Sequence, residues 1–306
     1  MDETQTNMHR SDTQEVASAA WWRDGRARPL VAAGLLLALS GIAHLVVWAI
    51  DGGAWEGPVT WRKPILFGIS GGLTAISAGW ALTRFPPRRW DSLLAWTTAM
   101  ALTLEVGLID LQRWRGVASH FNRSTPLDSF LYDAMGVLIL WVTFVVGDLA
   151  VRSFRQPMKL PADMRLAMQA GLVTLVWSCV LGIWASVHGE RQVLLGLPPE
   201  RFGVAGVPKF AHGAVIHALQ WLPLLAWAAK RVGFEERQRL WLVRVATLGT
   251  VFLAVYAVLQ TLAGRSRVDG SWPLAGLLVA AVTLLLLPLL FTLVGLVVRR
   301  PRPASA

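Results

Sequence analysis

The stretch LVAAGLLLALSGIAHLVVWAI, residues 30–50, contains no Asp, Glu, Lys or Arg. A helix needs about 20 such residues to cross the hydrocarbon of a bilayer. This one is long enough, and it places Ser40, His44 and Trp48 on one stripe at i, i+4 and i+8. Comparable runs recur along the chain, which is 54% hydrophobic and 16% charged over 306 residues. Breakers divide it into eight expected spans, near 30–50, 64–83, 91–111, 127–150, 165–187, 209–229, 240–262 and 273–298. The fold class expected is an all-α polytopic bundle of about eight transmembrane helices. Residues 1–28 and 301–306 are expected to be polar cytoplasmic tails around a transmembrane domain at 29–300. The N-terminal tail has no apolar core of a signal peptide, so the first span is expected to stay as an anchor.

The net charge of +10 does not point to nucleic acid, because the basic residues mostly flank apolar runs. The expected partners are the lipid bilayer and a small molecule or ion. Of the 29 lysines and arginines, 19 fall with the termini and the even-numbered loops. That bias predicts a cell-membrane protein with both termini cytoplasmic. Many of the sixteen tryptophans, Trp55, Trp61 and Trp114 among them, sit at span ends, where aromatic belts form. The single cysteine, Cys179, leaves no disulfide framework and no paired-cysteine metal site.

With that orientation, five of the six histidines gather on the outward side. His44, His188, His212 and His217 are the candidate metal ligands, since imidazole suits zinc, copper or haem iron. Glu105, His120 and Asp133 are the candidate catalytic groups. Glu105 is expected about two turns inside span 3, where an ionisable group is costly unless it faces protein or water. Lys63, Gln112, Asn122 and Gln220 are the candidate binding residues. The segment PKFAHGAVIHALQWLPLLAW, 208–227, is the most informative stretch. On a regular helix Lys209, His212, His217 and Gln220 would share one sector, forming a polar wall along a cavity. The five-residue spacing of its histidines is a weak metal signal, since i,i+4 would be needed.

Local chemistry explains part of the loop SHFNRSTPLD, 119–128. Thr125, Pro126 and Asp128 read as the cap, first residue and first-turn acid of span 4. Asp133 is too deep to cap and needs a partner, with Arg113, Arg115 or a histidine as candidates. WEGPVTWRKP, 55–64, sets Arg62 and Lys63 beside two tryptophans, as snorkelling cations or as an anion-binding rim. The loop 189–208 is rich in turn residues and suits a lid.

Leu-Gln-x-x-x-Gly occurs at 111–116 and again at 259–264, an offset close to those separating Lys63 from Lys209, Trp80 from Trp227 and His44 from His188. The shared offset suggests two parallel four-span repeats, 30–151 and 165–298.

WxGPVTWRKP, QRWRGxxSHFNxSTPxD, HGxxxHALQxLPLL and LQxxxG, taken in order over residues 30–265, resemble an uncharacterised family of bacterial polytopic membrane proteins. The resemblance implies that these outward segments form a common working end, and it brings no established activity. HExxH, GxSxG, P-loop and paired-aspartate prenyl-diphosphate signatures do not occur. Two expectations follow. One is an outward site holding a transition metal or haem for enzymatic or redox chemistry. The other is a transporter or receptor using the same cavity, with Glu105 coupling protons.

Overall fold

The computed structural model describes residues 20–298, so both chain ends of the expected tails, 1–19 and 299–306, lie outside the described residues. A 3-10 turn at Trp21–Arg23 leads into α1 (Arg28–Asp51), α2 (Arg62–Leu82), α3 (Asp91–Trp114), α4 (Pro126–Arg155), α5 (Ala162–Leu194), α6 (Pro208–Gly213), α7 (Ala218–Val232), α8 (Glu236–Leu262) and α9 (Trp272–Val298). Seven of these, all but α6 and α7, are long and apolar enough to cross a membrane. The chain is a multi-pass helical membrane protein. Its helices expose leucine, valine and phenylalanine along their lengths, as a lipid-facing surface does.

The chain divides into two compact units, 1–145 and 146–306. In the first, α1 and α2 pack most closely, and α3 lies against both. Glycine makes that approach possible. A Cβ on Gly41 would stand 2.8 Å from the Ile69 nitrogen and 2.9 Å from the Ile65 oxygen; one on Gly72 would stand 2.5 Å from the Gly34 oxygen. Gly34, Gly41, Gly68 and Gly72 thus form a seam where backbone meets backbone, the packing that small residues give membrane helices. Arg26 ties the approach to α1 to the start of α3. It reaches the Phe85 carbonyl at 3.2 Å and the buried Asp91 carboxylate at 3.4 Å, while also bonding Asp24 at 2.8 Å.

In the second unit, α5 packs on α6, α7 and α8, and α9 packs chiefly on α8. At 1.5 Å per residue α5 is about 50 Å long, more than the roughly 30 Å hydrocarbon requires. It continues past the expected end at residue 187 to Leu194. Gly171 on α5 receives the α7 backbone directly, since a Cβ there would lie 2.5 Å from the Leu219 Cα.

The stretch 209–229, expected as one regular span, is divided. α6 stops at Gly213, residues 214–217 are non-helical, and α7 begins at Ala218. The cause is local. In an unbroken helix the His212 carbonyl would accept the N–H of Ile216. Here it accepts the Ser178 hydroxyl of α5 at 2.7 Å. Val215 and Ile216, both β-branched, and the preceding Gly213 add low helix propensity at the same point. The continuous polar wall inferred from helical angles therefore does not form.

Candidate functional site

In the first unit the polar side chains collect where α1, α2 and α3 approach the 115–125 loop. His44 is buried on α1. Its Nδ1 donates to the Ser40 carbonyl at 2.9 Å, and its Nε2 accepts the Trp114 indole N–H at 3.0 Å. An indole only donates, which fixes the imidazole as the neutral Nδ1–H tautomer. The Ser40 hydroxyl donates to Asp110 Oδ2 at 2.8 Å, so a serine joins the histidine helix to the aspartate of α3. Trp61 packs edge-on to Trp114 with centroids 4.9 Å apart, and the Arg113 guanidinium lies over Trp61 at 3.8 Å.

Glu105 lies farther down α3 on its buried face, with Leu102, Val106, Ile109 and Gln112. It is 5% exposed, and its Oε2 is buried without a hydrogen-bond partner. Gln112, fully buried, is held within a polar knot. Its Nε2 donates to Asp128 Oδ1 at 3.0 Å, and Arg115 Nη1 reaches the same oxygen at 2.7 Å and also bonds the Gln112 carbonyl. Asp128 also accepts from the Thr125 hydroxyl at 2.7 Å, while its own N–H donates to that hydroxyl oxygen at 3.1 Å. The cap read from STPLD is present, with Pro126 opening α4.

Asp133 pairs with Arg123 at 2.9 Å, rather than with Arg113, Arg115 or a histidine as expected. Arg113 is turned onto Trp61 and Arg115 is taken by Asp128, so the loop arginine is the cation left in reach. Asn122 serves its own turn, donating to the Ala118 carbonyl at 3.0 Å and accepting from Ser124. His120 packs against Phe67, Phe121 and Tyr132, with Nδ1 3.1 Å from the Ser119 hydroxyl. That hydroxyl accepts from Lys63 at 3.1 Å.

In the second unit the break at 214–217 is flanked by His212 and His217. His212 Nδ1 donates to the Ser178 carbonyl at 2.7 Å, so Ser178 and His212 each bond the other's backbone. The imidazole also fills the space left by Gly182, where a Cβ would meet Nδ1 at 2.9 Å. His217, directly before α7, hydrogen-bonds the side chain of Gln220 one turn on. Sequence reasoning named both residues, and the structure brings them together. It missed Ser178, which carries no motif around it.

His188 is a strut for the loop 195–207. Its Nε2 donates to the Arg201 carbonyl at 2.8 Å, and Phe202 packs on both His188 and Trp184. Phe202 and Gly206 exchange backbone bonds, and Ala205 donates to the Gly264 carbonyl at 2.8 Å, which ties the loop to the α8–α9 turn. Lys209 pairs with Glu200 of the same loop.

Of the candidate residues, His44, Glu105 and His120 lie in the first unit and His188, His212 and His217 in the second. Among the described residues no group of three His, Cys, Asp or Glu side chains is arranged to hold a metal ion. Both nitrogens of His44 are already committed to Ser40 and Trp114. No protein-family model, curated protein or solved structure matches the chain.

The duplicated Leu-Gln-x-x-x-Gly motif has one local structure in both places. Gly116 and Gly264 take left-handed φ values of 74° and 66°. The residue after each glycine donates back to the glutamine carbonyl, Val117 to Gln112 at 3.1 Å and Arg265 to Gln260 at 3.2 Å, closing the helix with a Schellman-type cap. Both glutamine side chains are fully buried, Gln112 bonding Asp128 in the first turn of α4 and Gln260 the Asp269 carbonyl of the following loop.

Proposed function

We propose that this protein is a membrane transporter for a small polar molecule or ion. The observation that carries this reading is the interruption of an apolar span at 214–217, with the His217–Gln220 pair at its margin. Broken helices within membrane-embedded protein expose backbone groups that regular spans consume internally, and transporters use them to hold their cargo. Glu105 supports it: a buried carboxylate with an unbonded oxygen is costly as an anion, so it suits a residue that exchanges a proton or cation during transport. The orientation inferred from the charge bias would open this machinery outward. A metal or haem enzyme has less support, because the histidines are engaged one by one in helix and loop contacts.

The test is uptake by purified protein in proteoliposomes, over a panel of amino acids, sugars, nucleosides and inorganic ions, with an imposed proton gradient. Accumulation of one class is expected, lost with an uncoupler and lost in Glu105→Gln. His217→Ala should weaken apparent affinity for the same solute while the thermal midpoint stays near wild type. A folded wild-type protein that neither transports nor is thermally stabilised by any member of the panel would count against transport. Stoichiometric metal or haem in that preparation would favour the metalloprotein instead.

A further inference from the structure

We propose that the end of the first unit where α1 begins, α2 ends and α3 begins binds an acidic phospholipid. Its headgroup is held at the Arg84–Arg89 connection and its acyl chain lies along α3. The site lies within one unit and stands independently of the transport reading. Residues 20–30 and 83–91 carry Arg23, Arg26, Arg28, Arg84, Arg88 and Arg89 against two acids, Asp24 and Asp91. The positive excess holds however those acids are shared among the arginines. Arg26 keeps the two segments together, bonding Asp24 at 2.8 Å, the Phe85 carbonyl at 3.2 Å and Asp91 at 3.4 Å.

The arginines are presented in a way that suits an anion. Arg23 stacks over Trp22 at 4.8 Å, Arg84 over Trp80 at 5.3 Å and Arg89 over Trp90 at 4.6 Å. A guanidinium on an indole face keeps its N–H edge available, and that planar fork matches two phosphate oxygens. Arg84 has the greatest need of a counter-charge. Its guanidinium makes no ion pair with any described residue, its Nε is buried without a hydrogen-bond partner, and burial pushes its pKa below the ordinary arginine value. A partly desolvated cation gains more from an anion than one in open water. A lipid fits better than a soluble anion because apolar surface continues from the cations. One turn beyond Trp90, Leu93, Trp96, Met100 and Leu104 of α3 are exposed and recur in steps of three and four, along one stripe of the helix. Exposed Trp22 and Trp90 mark the headgroup level, where indoles settle in a bilayer. A phosphate at the arginines leaves its acyl chain beside that stripe, and juxtamembrane cations attract acidic headgroups.

The test uses the purified full chain. Native mass spectrometry from a neutral detergent compares bound phosphatidylglycerol with phosphatidylcholine, and glycerol phosphate serves as the same chemistry without acyl chains. A photoactivatable phosphatidylglycerol, with its diazirine in the acyl chain, maps the contact. Wild type should prefer phosphatidylglycerol, and the preference should fall as salt rises. Arg84→Gln and Arg89→Gln should each weaken that binding about five-fold. Arg84→Lys should bind more tightly than Arg84→Gln, and Arg123→Gln, in the loop beyond the other end of α3, should behave as wild type. The label should fall on the peptide holding Leu93 to Leu104. Thermal midpoints in phosphatidylcholine nanodiscs separate lost binding from lost folding, and exposed Arg89 still decides the matter if Arg84→Gln does not fold. Any of four results would overturn the site: a wild type without lipid preference, arginine variants that bind as wild type does, label confined to other helices, or glycerol phosphate bound as tightly as the lipid.

Discussion

The indole of Trp114 gives its one hydrogen to His44, across the gap between α3 and α1. The tryptophan is 61% exposed, yet the bond fixes which imidazole nitrogen carries the proton. Trp114→Phe should cost about 1 kcal/mol, the net worth of one neutral hydrogen bond. Trp114→Ala should cost about 1 kcal/mol more, because it also loses the edge-on pair with Trp61. Denaturant unfolding in mild detergent measures both.

Gly41 and Gly68 admit no side chain without moving backbone, since their Cβ positions stand within 3 Å of the opposite helix. Gly41→Ala and Gly68→Ala should each destabilise by about 1–3 kcal/mol, the usual cost of overpacking. Gly107→Ala, on a helix position with nothing within 4 Å, should be neutral or slightly stabilising. Equal behaviour of the three variants in thermal unfolding would contradict the seam.

Thr125 and Asp128 brace the start of α4 against the end of α3. Thr125→Ala should cost about 1 kcal/mol as a lost cap. Asp128→Ala should be the more damaging change, because it strands Arg115 and Gln112 together. Hydrogen exchange should rise first in residues 115–130 for both variants, and uniform exchange across the chain would argue against a local brace.

Asp24 lies outside the spans, and its hydrogen bond to Arg26 holds its carboxyl below the ordinary aspartate value, with burial working in the other direction. A lowered folded-state value means the contribution is fully present above the unfolded pKa of about 3.9 and is lost as pH falls through the folded value. Stability should therefore be insensitive to this pair near neutrality and should fall only below about pH 4. Because the pair is partly exposed, the effect should be small and weakened by salt. Melting curves between neutral and acid pH, wild type against Asp24→Asn, provide the measurement.

His188 holds the 195–207 loop through one backbone bond and one ring contact with Phe202. His188→Ala should speed amide exchange at Phe202 and Gly206 while leaving α8 protected. Limited proteolysis should cut the variant within the loop sooner than wild type.

The long apolar runs made seven of the spans legible, because length and absence of charge are sufficient evidence for a helix in lipid. The eighth is not the regular span expected. Gly213, Val215 and Ile216 offered only a weak hint of the break, and the Ser178 hydroxyl that takes the His212 carbonyl comes from another helix. Asp128 was readable since capping is a matter of neighbours in sequence, whereas the partner of Asp133 depended on which arginine an indole and another carboxylate had already taken. The glycine seam did have a signal, the Gly68-x-x-x-Gly72 spacing, which went unused. The histidines looked like a set because the charge bias put five of them on one expected side; in the structure His44, His188 and His212 each hold a different neighbouring backbone carbonyl.

The close fit of α1 on α2 bears on how the chain enters the membrane during synthesis. These two helices are neighbours in sequence, so they can pair as a hairpin before residue 91 has left the ribosome. α3 follows, carrying Glu105 and Asp110, residues whose kind costs about 2.5–3.5 kcal/mol each to place alone at the centre of a bilayer. With the hairpin already assembled, α3 is delivered to a protein groove that offers Ser40 to Asp110 instead of to bare lipid. Loosening the seam would then show itself first as failed insertion of the third helix, at the translocon, before any defect in the finished protein could be measured.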